Sequence, residues 1–211
     1  MNRRAVLAGL GLTALGLPVV GGCSKPLSAL IEKTVTVPTT GKAAELLAAA
    51  HKQSEHFVQY DGGYSKIAYP GGDLPQDKGA CSDVLIRAYR TLGIDLQKLV
   101  HEDMQAHFDL YPRTWGLKAP DSSIDHRRVP NLMVFFSRFG AVLPLTKNPA
   151  DYQPGDILAT KPFGTHIALV SDQKPARSDR LWVIENIGGG VQQNDHLLSY
   201  PLLGHYRFGL S

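Results

Sequence analysis

The chain has 211 residues, long enough for one ordinary domain with its own core plus a terminal appendage. Its 22 Lys+Arg and 19 Asp+Glu leave a formal net charge of +3, and no basic stretch is interleaved with aromatics, so a nucleic-acid surface is not expected. Its 8 histidines and 2 cysteines form no HxH, HExxH or CxxC spacing, so neither a dedicated metal site nor a cofactor is expected.

The chain opens with Asn2-Arg3-Arg4, an apolar Gly-rich run from Ala5 to Val20, and then Val20-Gly21-Gly22-Cys23. A basic start, a short apolar stretch and small residues before a cut site describe an export signal over 1–22. The run is short for a membrane-spanning helix. Val-Gly-Gly-Cys resembles the lipobox of bacterial lipoproteins, which implies lipidation of Cys23 and a membrane anchor. Ser24 after the cysteine resembles the pattern sent on to the outer membrane, and the Arg pair is also compatible with twin-arginine export. Loss of Arg3 and Arg4 with the signal leaves a mature net charge of +1. Residues 23–41, with Pro26 and Pro38, read as a lipidated cysteine and a tether without fixed fold.

The domain is expected over 42–211. Ala43, Leu46, Leu47, Ala50 and Phe57 recur at helical spacing, which predicts a helix from Lys42 to Gln59. Tyr69-Pro70-Gly71-Gly72-Asp73-Leu74-Pro75 is turn chemistry. After it, Val84, Leu85, Ala88 and Leu92 predict a helix starting at about Cys81. A thiol in the first turn meets unpaired N–H groups and the positive end of the helix dipole, which favour a reactive thiolate. The same placement also suits a small buried residue. If Cys23 carries lipid, Cys81 is a lone thiol in an oxidising compartment, which tilts the balance toward chemistry.

A helix from about Asp95 to Phe108 follows. Then come the charged segment Asp125-His126-Arg127-Arg128 and an apolar helix from Asn131 to Phe139, started by Pro130 and stopped by Gly140. From Ala141 the pattern changes to short β-type runs: Asp156–Thr160, His166–Ser171, Leu181–Glu185 and His205–Phe208. Helices first and strands after predict an α+β fold, N-terminal helices packed on a C-terminal antiparallel sheet.

A thiolate nucleophile needs a base, and the base needs a group to hold its ring. His166 opens a strand after the turn Phe163-Gly164-Thr165 and is the candidate base. Gly155-Asp156-Ile157-Leu158 followed by His166-Ile167-Ala168-Leu169-Val170, with Tyr69, Gly71 and Gly72 preceding Cys81, resembles the NlpC-type papain-like cell-wall peptidases. Over nearly the whole mature chain, Tyr-Pro-Gly-Gly-Asp at 69–73, Cys-Ser-Asp-Val-Leu-Ile-Arg-Ala-Tyr-Arg at 81–90, Ile-Asp-His-Arg-Arg-Val-Pro-Asn-Leu at 124–132, Asn-Ile-Gly at 186–188 and Gly-His-Tyr-Arg at 204–207 are similar to an exported domain-of-unknown-function family allied to that group. The resemblance implies a papain-like fold with Cys81 as nucleophile and His166 as base. It points to Glu185 or Asn186 for the third member, where relatives usually read His-Asn. Strand alternation lets only one of the two face the histidine, and Glu185 is chosen.

Asp125, Arg127 and Arg128 either grip substrate carboxylates or form an internally paired loop. Tyr69 is either an oxyanion donor beside the Cys81 N–H or a packing aromatic. Asn186 either lines the site or ties down the Gly188-Gly189-Gly190 turn. The expected protein is a monomeric, lipid-anchored cysteine hydrolase on the periplasmic face of the cell envelope, cutting an amide bond in peptidoglycan stem peptides. The alternatives are a catalytically inactive papain-like module that binds cell-wall peptide or an envelope protein, and acyl transfer by the same residues.

Overall fold

A computed structural model describes residues 33–211. The expected signal over 1–22, the lipidation of Cys23 and the first part of the tether lie outside the described residues.

The helices form where apolar spacing demands them. Helix α1 (Gly41–Lys52) buries Leu46, Leu47 and Ala50, and α2 (Cys81–Thr91) buries Val84, Leu85, Ile86, Ala88 and Tyr89. Helix α3 (Leu96–Ala106) starts on Asp95, whose carboxylate accepts the N–H groups of Gln97 and Lys98. That side-chain acceptor meets the unpaired donors of a first turn. Helix α4 (Val129–Phe139) has Pro130 in its first turn and ends at Gly140. α1 stops seven residues short of the predicted Gln59: residues Gln53–Glu55 tighten into a 3₁₀ turn and His56 is extended. Phe57, which the spacing placed on the buried face, is 67 % exposed.

The strands follow as β1 (Thr34–Thr36), β2 (Gln59–Tyr60), β3 (Lys78–Gly79), β4 (Ala141–Val142), β5 (Ile157–Thr160), β6 (His166–Val170), β7 (Gln173–Pro175), β8 (Val183–Asn186), β9 (Val191–Asn194) and β10 (Leu202–Arg207). Six of them make an antiparallel sheet in the order β4-β10-β5-β6-β8-β9. The predicted α+β architecture, helices against an antiparallel sheet, is the one observed. α2 is central, packing on α1 and on β6 and β8. Ile157, Ala159, Ile167, Leu169 and Ile184 join the helices in the main core, while Leu158, Ala168, Val170 and Val183 close a smaller core on the sheet's other face. This alternation is the period-two pleat of strands covered on both sides.

The tether expectation is corrected in its second half. Thr34–Thr36 pairs antiparallel with Gln173–Pro175, and the Val37 N–H donates to Asp172 O at 2.7 Å. A Thr-Val-Thr segment is good β material and finds an edge to join. β2 and β3 form a second small pairing, parallel, that sets Tyr60 opposite Gly79, two residues before Cys81.

Candidate active site

Cys81 is the first residue of α2, and its fixing begins with Asp83. The Asp83 carboxylate reaches back to accept the Ala80 N–H at 2.6 Å, closing the helix start. This is the reciprocal half of a capping arrangement. Arg127, reached from the segment before α4, binds Asp83 through Nε at 3.0 Å and Nη2 at 3.0 Å, and donates to Gly63 O at 2.7 Å and Asp61 O at 2.6 Å. The guanidinium is thus wholly engaged, with side chains 2 % and 4 % exposed on the two partners. A side chain at Gly79 would approach the Asp83 Cβ to 3.1 Å and Arg87 Nη1 to 3.3 Å, so a bare backbone suits that approach.

His166 is the first residue of β6, so the helix start and the strand start meet at the sheet's end. Its Nε2 and Glu185 Oε2 are 2.7 Å apart. The Cys81 sulfur lies near enough for its charge and hydrogen bonding to act on the imidazole. Register explains the pair: Leu169 faces Ile184 and Val170 faces Val183, so Glu185 lies beside Ala168, a diagonal neighbour of His166 on the same face. Asn186 points to the other side, its Nδ2 donating to Val58 O at 3.2 Å and Gly79 O at 3.0 Å while its Oδ1 accepts the Gly188 N–H at 3.1 Å.

The electrostatics follow from these contacts. Burial by itself lowers a histidine, but the hydrogen bonds and charges of Cys81 and Glu185 outweigh it and push His166 up to about 9. Burial raises Glu185, yet the hydrogen bonds from His166, His196 and Asn194 hold it below the ordinary carboxylate range. Tyr60 is pushed up to about 12, first by burial and then by the charge and hydrogen bond of the Cys81 sulfur. Tyr60 therefore keeps its phenolic proton at neutral pH. Cys81 itself is 3 % exposed, and Tyr60, whose phenol feels its sulfur, is 44 % exposed.

Several expected site residues are placed elsewhere. Tyr69 packs edge-to-face on His101 with ring centroids 5.0 Å apart, and the tyrosine whose phenol feels the Cys81 sulfur is Tyr60. The reason is topological: pairing of β2 with β3 carries Tyr60 alongside the cysteine, whereas the 69–73 turn is held by Gln97, which accepts the Gly72 N–H and donates to Ala68 O. Asp125 is fully buried and accepts from His101 at 2.9 Å; burial raises its carboxyl. Arg127 is spent on Asp83, and the Arg128 guanidinium stands 4.8 Å over the Trp115 ring. The segment is the internally paired loop, and the substrate-gripping reading of Asp125 and Arg127 is set aside because neither has a free face. Tyr60, Asp83, Asn194 and His196 were not singled out from the sequence. Asp83 had a signal, a carboxylate three residues after the helix cap. Tyr60-Asp61-Gly62-Gly63, a second tyrosine before paired glycines, carried one for Tyr60. No group of three or more His, Cys, Asp or Glu side chains able to hold a metal occurs among the described residues.

A family model described as "Domain of unknown function (DUF1287)" matches residues 47–208. A protein of Escherichia coli (strain K12), described as uncharacterized protein YijF, is 51% identical over 161 residues, 75% of this chain and 78% of that protein. Among solved structures, NlpC1 and NlpC2 from Trichomonas vaginalis are similar at 14% identity with TM-scores of 0.41 and 0.42, over 82% of this chain. The chain spans about half the length of those two, 46% and 48%.

Proposed function

The chain belongs to the DUF1287 family, and from the geometry of its site we propose that it is a cysteine hydrolase that cleaves an amide bond. The observation that carries this reading is a buried imidazole fixed through Nε2 to Glu185 at 2.7 Å and lying within the influence of the Cys81 sulfur at the start of α2. In this reading a proton on His166 and negative charge on the sulfur support each other, as in an ion-paired thiolate nucleophile. The Cys81 sulfur attacks the carbonyl carbon and the carbonyl π pair moves to oxygen. The Cys81 N–H, which has no partner within the helix, and the Tyr60 hydroxyl are the donors for that oxyanion. Collapse breaks the C–N bond while His166 gives its proton to the leaving amine. Water then attacks the thioester, His166 takes its proton, and the C–S bond breaks to release a carboxylic acid and restore the pair. Glu185 keeps the ring oriented throughout.

We place the enzyme in the bacterial envelope, anchored by lipid on Cys23 and acting on peptidoglycan stem peptides. The support is the lipobox-like 20–23 segment and the NlpC-like order of Cys81 and His166. The 3 % exposure of Cys81 favours a second reading, a groove that binds wall peptide without cutting it. Incubation of purified sacculi with the wild-type and Cys81→Ala proteins, followed by mass spectrometry of muropeptides, separates the two. The hydrolase reading expects new amine and carboxylate termini with the wild type alone. Identical muropeptides in both samples leave the binding module.

A further inference from the structure

Glu185 is engaged beyond what orienting one histidine requires. Oε2 meets His166 Nε2 at 2.7 Å, while Oε1 accepts from Asn194 Nδ2 at 3.0 Å and from His196 Nδ1 at 2.5 Å. A carboxylate held through one oxygen can still swing about its last torsion; one held through both oxygens has a fixed plane. Both donors on Oε1 come from the end of β9 and the turn after it, an element separate from the strand that carries His166. His196 is itself braced. Its ring stands edge-to-face on Tyr200 at 5.0 Å, the Ser199 N–H donates to its carbonyl, and the neighbouring Asp195 is tied to Arg180 at 2.6 Å. The charged and titratable groups around it are therefore Glu185, Tyr200 and the Asp195–Arg180 pair; those around His166 are Cys81, Glu185 and, through the sulfur, Tyr60.

We propose that His196 is a positioning residue: by donating Nδ1–H to Glu185 Oε1 it sets the carboxylate plane that orients the His166 imidazole, so the row Cys81–His166–Glu185 continues to a fourth, partly solvent-exposed ring. Its catalytic meaning rests on the hydrolase reading above; its structural content does not. Because Oε1 only accepts, the facing Nδ1 carries the proton, and a neutral donor of similar reach can replace it.

The test uses the full chain. His196→Leu removes the donor and keeps an apolar group against Tyr200, whereas His196→Gln keeps an N–H donor. Proton NMR follows the low-field His166 Nε2–H resonance and its titration, and iodoacetamide trapping follows Cys81 at pH 6 to 7. The expected result is that His196→Leu broadens or moves the resonance upfield and slows trapping about tenfold, while His196→Gln stays within about threefold of wild type. Two results overturn the proposal: His196→Leu indistinguishable from wild type in both readouts, or His196→Gln failing as completely as His196→Leu with both melting earlier, which is packing alone. The resonance is read without substrate, so intact sacculi alongside the expected NMR change count against hydrolysis and not against His196.

Discussion

Replacing Arg127 by Met isolates the strut behind the nucleophile. The substitution leaves Asp83 as a buried carboxylate without its cation and strips donors from Asp61 O and Gly63 O, in a place where both partner side chains are nearly inaccessible. Breaking a buried ion pair from one side costs about 3–5 kcal/mol, because the remaining charge is uncompensated. With an m-value of roughly 2 kcal/mol/M in urea for a domain of this size, the unfolding midpoint at pH 7 should fall by roughly 2 M. Asp83→Asn in the same background should cost much less than it does alone, because the two side chains form one network. Since Asp61 and Gly63 follow Tyr60 directly, the variant should also lose trapping of Cys81 under folding conditions. Arg127 is not a strut if Arg127→Met unfolds within about 1 kcal/mol of wild type while raising KM for acidic muropeptides. That result would return the guanidinium to substrate binding.

Tyr60→Phe removes one oxyanion donor and should lower kcat on sacculi by about 10²-fold with little change in KM, while Tyr69→Phe should leave both unchanged. Stability should peak near neutrality for reasons that can be signed. His126 is pulled down to about 3, first by burial and then by the charges of Arg127 and Arg90, and its Nδ1 has no partner. The unfolded chain therefore binds a proton that the folded one refuses, and by pH 5 this removes about 2 kcal/mol of folding stability, a loss that His126→Asn abolishes in urea titrations. His166 acts oppositely: raised to about 9, it contributes stability that is complete below the unfolded value and is lost as pH rises from about 6.5 through 9. A urea midpoint equal at pH 5, 7 and 9 would contradict both assignments.

The parts of the molecule that were legible from sequence are those governed by one dominant local force. α2 was readable from Val84, Leu85, Ala88 and Leu92 because a buried helix repeats its apolar residues, and β5 and β6 because strands covered on both sides are continuous apolar runs. The polar edge elements were not. Gln173–Pro175 and Val191–Asn194 gain order from pairing with a neighbour, and their own residues look like loop; Thr34–Thr36 is β material too short to declare itself without the edge it joins. The same division runs through the site. Cys81 and His166 stand at element boundaries marked by glycine and turn residues, whereas Tyr60 and His196 arrive through long-range pairing that spacing along the chain does not encode. For Arg127 the sequence leaves substrate gripping and internal pairing both open; only the position of Asp83 across the fold reveals that it is spent internally.

The proposed hydrolysis requires the Cys81 sulfur and the His166 imidazole to act as one reactive pair. The rate of Cys81 carboxamidomethylation by iodoacetamide from pH 5 to 10, in the wild-type and His166→Asn proteins, tests it most directly. An ordinary thiol with a pKa of about 8.5 is well under 1% ionised at pH 6 and hardly reacts there. The expected result is rapid reaction of the wild type at pH 6 and its loss in His166→Asn. Identical profiles that rise only in the ordinary thiol range, or a native sulfur that reacts only after unfolding in urea, would contradict it.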